Sequence, residues 1–258
     1  MIDLDAQLAL ALELADLADA VTLPRFRSDD LEVRHKADAS EVTEADKGAE
    51  AVMRARLREA RPDHAVLGEE DGLGGGAANT AYRWVLDPID GTSNYVKRVP
   101  IWATLIALQH DSVSVVGVVS APALGRRWWA RTGGGAFVNG QPIHVSNVDA
   151  LEQCHMAYAS LGSWYEYADG SAFVSLARRV WRSRGIGDFW MHMLVAEGGF
   201  DVACEPIVAL WDLAAVQVIV EEAGGRFTDL AGRAWPEGES AVSTNGLLHD
   251  EVLAALRG

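Results

Sequence analysis

Between residues 82 and 124 three apolar runs follow one another almost without a break: YRWVLDPIDGT, WATLIALQH and SVSVVGVVSAPAL. The last is rich in valine and reads as a strand in the core of a sheet. The segment after it, RRWWARTGGGAFVNGQPIHVS, reads as hairpins turned at Gly and Asn-Gly.

Helical patterns lie on both sides of this block. Leu and Ala recur at helical spacing over residues 3–23, an amphipathic first helix that ends or breaks near Pro24. A short strand or turn follows. A second helix starts near Thr43, where Thr43-Glu44-Ala45-Asp46 has capping-box spacing and Ala49, Val52, Met53 and Leu57 continue an apolar face. AVLGEED (65–71) is a short strand ending in three acids, and LGGGAANT (73–80) reads as a flexible surface loop. From about Asn147 the pattern predicts a helix at 169–182, a turn at RGIGD and a helix at 189–198. The strand FDVACEP follows, then the helix WDLAAVQVIVEEAGG closed by a Gly pair, a strand at 240–244 and a last helix at 247–257. Strands alternating with helices predict a mixed α/β (α+β) class with layered sheets. The length of 258 residues suits two packed sub-domains, 1–146 and 147–258.

A formal net charge of −15 argues against a broad nucleic-acid surface, which needs clustered Lys and Arg. It leaves room for a small phosphorylated ligand, because a metal ion inverts the sign of an acidic pocket. The two cysteines, Cys154 and Cys204, sit among apolar neighbours and predict inert buried thiols. The Trp128-Trp129 pair predicts packing or an interface. The start of the chain is acidic where a secretion signal would be basic, and no apolar run approaches the roughly 20 residues that span a bilayer. The expectation is a soluble cytoplasmic protein. No GxGxxG or GKS/T segment follows a strand, no HExxH occurs, and the histidines lack a zinc spacing. His192, between Met191 and Met193, reads as core or pocket wall.

Carboxylates stand at four element ends: Asp46 near a helix start, Glu69-Glu70-Asp71 after AVLG, Asp87 and Asp90 after YRWVL, and Asp212 before LAAVQVIV. Gathered without Lys or Arg, such groups repel and are driven to protonate if buried. A hard divalent cation with oxygen ligands resolves that conflict, and Mg²⁺ is the expected one. Alone, each cluster has a plainer reading: surface acids for GEED, a strand-to-turn junction for DPIDG, a helix N-cap for Asp212. DPIDGT adds more. Pro88 holds Asp87 extended and forbids ordinary strand continuation, so Asp87 and Asp90 can face one site with the Ile89 carbonyl free as a further oxygen. Gly91 permits a tight turn, and Thr92-Ser93-Asn94 would open a helical turn whose N–H groups can seat a phosphate.

The segments EVTEADKGAE (41–50), GEE (68–70), WVLDPIDGTSNY (84–95) and EPIVALWDLAAVQVIVEEAGG (205–225) resemble the inositol monophosphatase-like family of Mg²⁺-dependent, lithium-sensitive phosphatases. Within it the chain most resembles actinobacterial-type histidinol-phosphate phosphatases, through VPIWATLIAL, SAPALGRRWWA, RGIGDFW, LVAEGGFDVACEP and STNGLLHDEVLAAL. The resemblance implies an α-β-α-β-α layered sandwich like that of fructose-1,6-bisphosphatase, a homodimer, and two or three Mg²⁺ per subunit. It implies Glu69, Asp87 and the Ile89 carbonyl as ligands of one metal, and Asp90 and Asp212 with bridging Asp87 for the second. It further implies Thr92 and Asp46 as the pair orienting the attacking water, Gly91, Thr92 and Ser93 around the phosphate, and Glu205 beside the leaving alcohol.

Arg184-Gly185-Ile186-Gly187-Asp188 carries an acid where the inositol enzymes have a small residue, which fits the histidinol-phosphatase pattern. Histidinol phosphate brings an ammonium that Asp188 or Glu205 could pair with; inositol phosphate brings only hydroxyls. Inositol phosphate, 3'-phosphoadenosine 5'-phosphate and fructose 1,6-bisphosphate stay open as substrates. A catalytically silent ligand-binding protein is the alternative of a different class.

Overall fold

The structure is a computed structural model and describes residues 2–36, 40–77, 80–234 and 239–257. Helix α1 (Leu4–Arg25) opens at Asp3, whose carboxylate accepts from the N–H groups of Asp5 and Ala6. It runs through Pro24, because in the last turn a missing N–H sacrifices only one internal bond. A small hairpin, β1 (Val33–His35) and β2 (Glu41–Thr43), leads into α2 (Glu44–Ala60), capped by Thr43 and Asp46 in the reciprocal box its spacing predicts.

The large sheet has eight strands. They are β3 (Ala65–Gly68), β4 (Gly72–Gly75), β5 (Tyr82–Asp90), then, after the one-turn helix α3 (Thr92–Val96), β6 (Ala103–His110), β7 (Val113–Ala121), β8 (Arg126–Arg131), β9 (Ala136–Val138) and β10 (Gln141–Ile143). Their order is β10-β9-β8-β7-β6-β5-β3-β4, antiparallel except for β3 beside β5. One expectation is corrected here. Part of the Gly-rich 73–80 segment is not a loop: residues 72–75 form the edge strand β4, since backbone pairing to β3 needs no side chains; positions 78 and 79 lie outside the described residues. At Pro88 ordinary pairing is interrupted, as its position implies. β5 passes through it by a bulge, Asp87 opposite Leu105 and Asp90 opposite Ala103, three steps against two.

The rest of the chain builds β11 (His155–Tyr158), α4 (Leu161–Tyr167), α5 (Gly170–Arg179), β12 (Arg182–Gly185), α6 (Asp188–Ala196), β13 (Val202–Glu205), α7 (Leu210–Glu222), β14 (Arg226–Thr228), β15 (Ala241–Thr244) and α8 (His249–Arg257). A five-stranded sheet runs β12-β11-β13-β15-β14. The helix expected at 169–182 stops at Arg179. Arg184 and Gly185 finish strand β12 where a turn was expected, because β12 pairs in parallel with β11. Helix α4 and strand β14 were not visible in the sequence pattern.

The layers are α1 and α2, the eight-stranded sheet, α6 and α7, the five-stranded sheet, then α5 and α8. One apolar cluster joins Leu10, Leu14, Met53 and Leu57 to Trp84, Leu86, Ile106, Leu108, Val116 and Val118. On the other face of the same strands Val85, Leu105, Ala107 and Val119 meet Leu213, Val216 and Ile219 of α7. Cover on both faces is why strands 82–121 read as continuous apolar runs although the sheet is mostly antiparallel. It also explains α7, apolar all round between two sheets. A Cβ at Gly117 would stand 2.4 Å from the Ala215 carbonyl oxygen, so that glycine lets α7 lie directly on β7 and fixes the height of Asp212.

Trp128 is buried and donates to Glu197, while Trp129 stacks on Phe137; the pair packs within the chain. Cys154 and Cys204 are buried free thiols, and burial pushes Cys154 up to about 12. No helix among the described residues is long and apolar enough to cross a membrane.

Candidate active site

The ends of six elements meet at one place: the end of β3, the bulged end of β5 with α3, and the starts of α2, α6 and α7. Asp87, Asp90 and Asp212 bring carboxylate oxygens within 4.8 Å of one another. Asp87 is 1% exposed and Asp90 7%. Asp212 is not an N-cap but the third residue of α7, and its carboxylate reaches back to accept from the Ala209 N–H at 3.0 Å. Asp87 accepts from the Ile89 N–H at 2.9 Å, which folds the bulge around its own carboxylate.

None of the three forms an ion pair with Lys or Arg among the described residues. Burial first, then Glu69, Asp212 and Asp90, hold Asp87 well above the usual carboxylate range. Burial followed by Asp188 and Asp212 does the same to Asp90, and burial lifts Asp212 to about 7. An all-oxygen set that repels itself is the donor chemistry of a hard divalent cation, so these residues fit Mg²⁺.

Glu69 differs from its expected surroundings. It is paired with Lys36, whose ammonium lies 2.7 Å from both Glu69 and Glu70, so the acids are not without a compensating cation. Burial pulls Lys36 down, but its bonds to the two glutamates outweigh this and hold it above its ordinary value. Nothing in the sequence around Lys36 signals that contact, which depends on where the β1–β2 hairpin folds. Glu50 was also missed. Its carboxylate accepts from the N–H groups of Glu70 and Asp71, pairs with Arg54 at 2.7 Å, and leaves no room for a Cβ at Gly68. It lies one helical turn after Asp46, and that spacing was the available signal.

Asp46 spends one carboxylate oxygen on capping, accepting from Thr43 N–H at 2.8 Å and Thr43 Oγ1 at 2.6 Å. Its other oxygen is 3.3 Å from Thr92 Oγ1, which is also 3.0 Å from the Ile89 carbonyl oxygen. That carbonyl keeps a second lone pair. Burial, opposed by Thr43, raises Asp46 to about 6. Gly91 has φ +83, and a Cβ there would stand 3.0 Å from the Ile101 carbonyl oxygen and 3.2 Å from Asp188 Oδ2. The first N–H groups of α3, at Thr92 and Ser93, have no acceptor inside the helix.

Asp188 heads α6 with φ +57, rare for a residue with a side chain. Asn94 donates to it at 2.8 Å, and burial followed by the nearby Glu205 charge raises it to about 6. Glu205 ends β13, buried, with His192 3.0 Å away. Arg184 is not brought to this group. It is exposed on the edge strand β12, bonded to the Ser183 carbonyl oxygen, because residues 182–185 extend along β11.

The profile of the Inositol monophosphatase family matches residues 3–258. The chain belongs to the inositol monophosphatase family. It is 50% identical to a histidinol-phosphatase of Streptomyces coelicolor, covering 96% of each chain, and 51% identical to one of Mycobacterium tuberculosis, covering 96% of this chain and 97% of the relative. The solved structure of an inositol monophosphatase from Zymomonas mobilis superposes with a TM-score of 0.87 at 30% identity, over 99% of both chains. The layered sandwich expected from the sequence is therefore this family's fold, and its members are phosphatases.

Proposed function

We propose that this family member is a Mg²⁺-dependent phosphomonoesterase that hydrolyses L-histidinol phosphate to L-histidinol and phosphate, a step of histidine biosynthesis, by direct attack of water. The observation that carries the chemistry is the Asp87, Asp90 and Asp212 cluster beside the Gly91 turn. The choice of substrate is supported by the two relatives named histidinol-phosphatase and by the second acid pair, Asp188 and Glu205, at the rim of that cluster.

Glu69, Asp87 and the Ile89 carbonyl would hold one Mg²⁺, and Asp90 and Asp212 with Asp87 a second, two or three ions per subunit. Bound Mg²⁺ supplies Lewis acidity to the phosphate and lowers the pKa of water. The chain's residues do the rest. Thr92 Oγ1 and Asp46 hold the attacking water and take its proton; Asp46, raised by burial, has the basicity for that task. Backbone N–H groups of Gly91, Thr92 and Ser93 fix the phosphate oxygens. Asp188 and Glu205 receive the substrate's ammonium, with Glu205 beside the leaving alcohol. Neither thiol is suited to a covalent intermediate, both being buried in one apolar cluster where burial raises them and disfavours the thiolate.

We place the enzyme in the cytoplasm as a homodimer, with no nucleic-acid or membrane partner. Phosphate release from L-histidinol phosphate, dependent on Mg²⁺ and abolished by EDTA, tests the reading. A chain that only binds the ester without releasing phosphate would overturn it.

A further inference from the structure

His192 lies on α6 one turn beyond Asp188, so both project from the same face. It is 1% exposed, and both ring nitrogens have partners: Nδ1 is 2.8 Å from Ser243 Oγ and Nε2 is 3.0 Å from Glu205 Oε1. Phe227 packs on the ring at 5.4 Å between centroids. Glu205 and Ser243 belong to paired strands, with Glu205 opposite Ala241 and Ala203 opposite Ser243. The imidazole therefore spans two neighbouring strands from the helix that covers them. An ionised carboxylate only accepts, so Nε2–H donates to Glu205. In the neutral ring Nδ1 accepts, and the Ser243 hydroxyl is the donor beside it.

We infer that His192 is a positioning residue, fixed by Ser243, that holds Glu205 where it and Asp188 together receive the ammonium of an amino-alcohol phosphate. The inference rests on the histidinol phosphate reading and extends it to the device that sets substrate preference. Two facts favour it over plain core packing. A single buried glutamate has many rotamers, and here His192 pins one of its oxygens from the helix that also carries Asp188. Both carboxylates are also anchored by side chains without a permanent charge, Asp188 by the Asn94 amide and Glu205 by an imidazole. A Lys or Arg in either place would cancel the negative charge that a cationic substrate needs; an amide or imidazole fixes direction and leaves the charge unspent.

The test uses the full-length Mg²⁺-loaded enzyme with L-histidinol phosphate and its des-amino analogue. For His192→Leu, KM for histidinol phosphate should rise about tenfold, the scale of a lost hydrogen bond to a charged group, with kcat changed far less. The ratio of kcat/KM for the two esters should fall by about the same factor. His192→Gln, which restores a donor, should recover most of that ratio, and Ser243→Ala should lower it about threefold. Equal losses on both esters in His192→Leu, or a ratio unchanged in Ser243→Ala, would overturn the inference; Ser243→Ala carries the test if His192→Leu does not fold. An unsubstituted enzyme that does not prefer the amino ester would instead remove the substrate reading, and this inference with it.

Discussion

Asn94 Nδ2 donates to Asp188 Oδ2 at 2.8 Å, joining the turn after the Asp87–Asp90 pair to the head of a helix 94 residues further on. The bond ties the proposed phosphate seat to the proposed ammonium acceptor. Gly91 makes the approach possible, since any Cβ there would meet both Asp188 and the Ile101 carbonyl.

Removing the acid from this relationship should separate substrates. Asp188→Ala is expected to lose more kcat/KM on histidinol phosphate than on inositol 1-phosphate, by about tenfold, because only the former carries a cation to pair. Steady-state kinetics on both esters reads this directly. Equal losses would mean that Asp188 serves the fold or the metals alone.

Asp87→Asn should lower turnover on the order of a thousandfold, since one carboxylate is shared between the proposed metal positions. The same substitution relieves repulsion in a buried acidic cluster, so the metal-free variant should melt no lower than the unsubstituted chain. Activity retained at saturating Mg²⁺ would remove Asp87 from the ligand set.

The raised carboxylates also fix a sign for the pH dependence of stability. Asp212 near 7 and Asp46 and Asp188 near 6 hold protons in the folded state that the unfolded chain has already released. Between pH 4 and pH 7 the folded state is the more protonated, so metal-free stability falls as pH rises through that window. Thermal melting should show a lower Tm at pH 8 than at pH 5. Mg²⁺ should restore more of it at pH 8, where the ligands are ionised. A metal-free Tm that climbs over this range would contradict the assigned shifts.

Glu50 carries a prediction about the fold. Glu50→Ala takes from Arg54 its carboxylate partner, leaving the guanidinium only the Val66 and Gly72 carbonyls, and leaves the N–H groups of Glu70 and Asp71 without their acceptor. Breaking a buried pair from one side costs about 3–5 kcal/mol. Denaturant unfolding should show a loss of that order, and a change below about 1 kcal/mol would show that the turn at 68–71 is held by other contacts.

The sequence made the fold legible where side-chain pattern and packing agree. The α2 capping box, the apolar helix α7 and the strands on both sides of the sheet follow from spacing that burial then uses. It misled where backbone geometry outweighs pattern. Residues 72–75, Gly-Leu-Gly-Gly, pair as a strand although their composition suggests a loop. In the site, the acids were visible because several end apolar strands or open helices. Most of their partners were not: Lys36, Asn94 and His192 acquire meaning only through contacts across 13 to 94 residues of sequence, and Glu50 had only its spacing from Asp46 to mark it. Arg184, at the start of the motif that ends in Asp188, lies exposed on β12 and donates to the Ser183 carbonyl oxygen.

The comparison of kcat/KM for L-histidinol phosphate and myo-inositol 1-phosphate, measured on the purified chain with Mg²⁺ and again after EDTA, tests the account most directly. It predicts a preference for histidinol phosphate of at least about a hundredfold, on the scale of pairing one ammonium with two buried carboxylates, and loss of both activities with EDTA. Equal turnover of the two esters, or hydrolysis that survives EDTA, would contradict it.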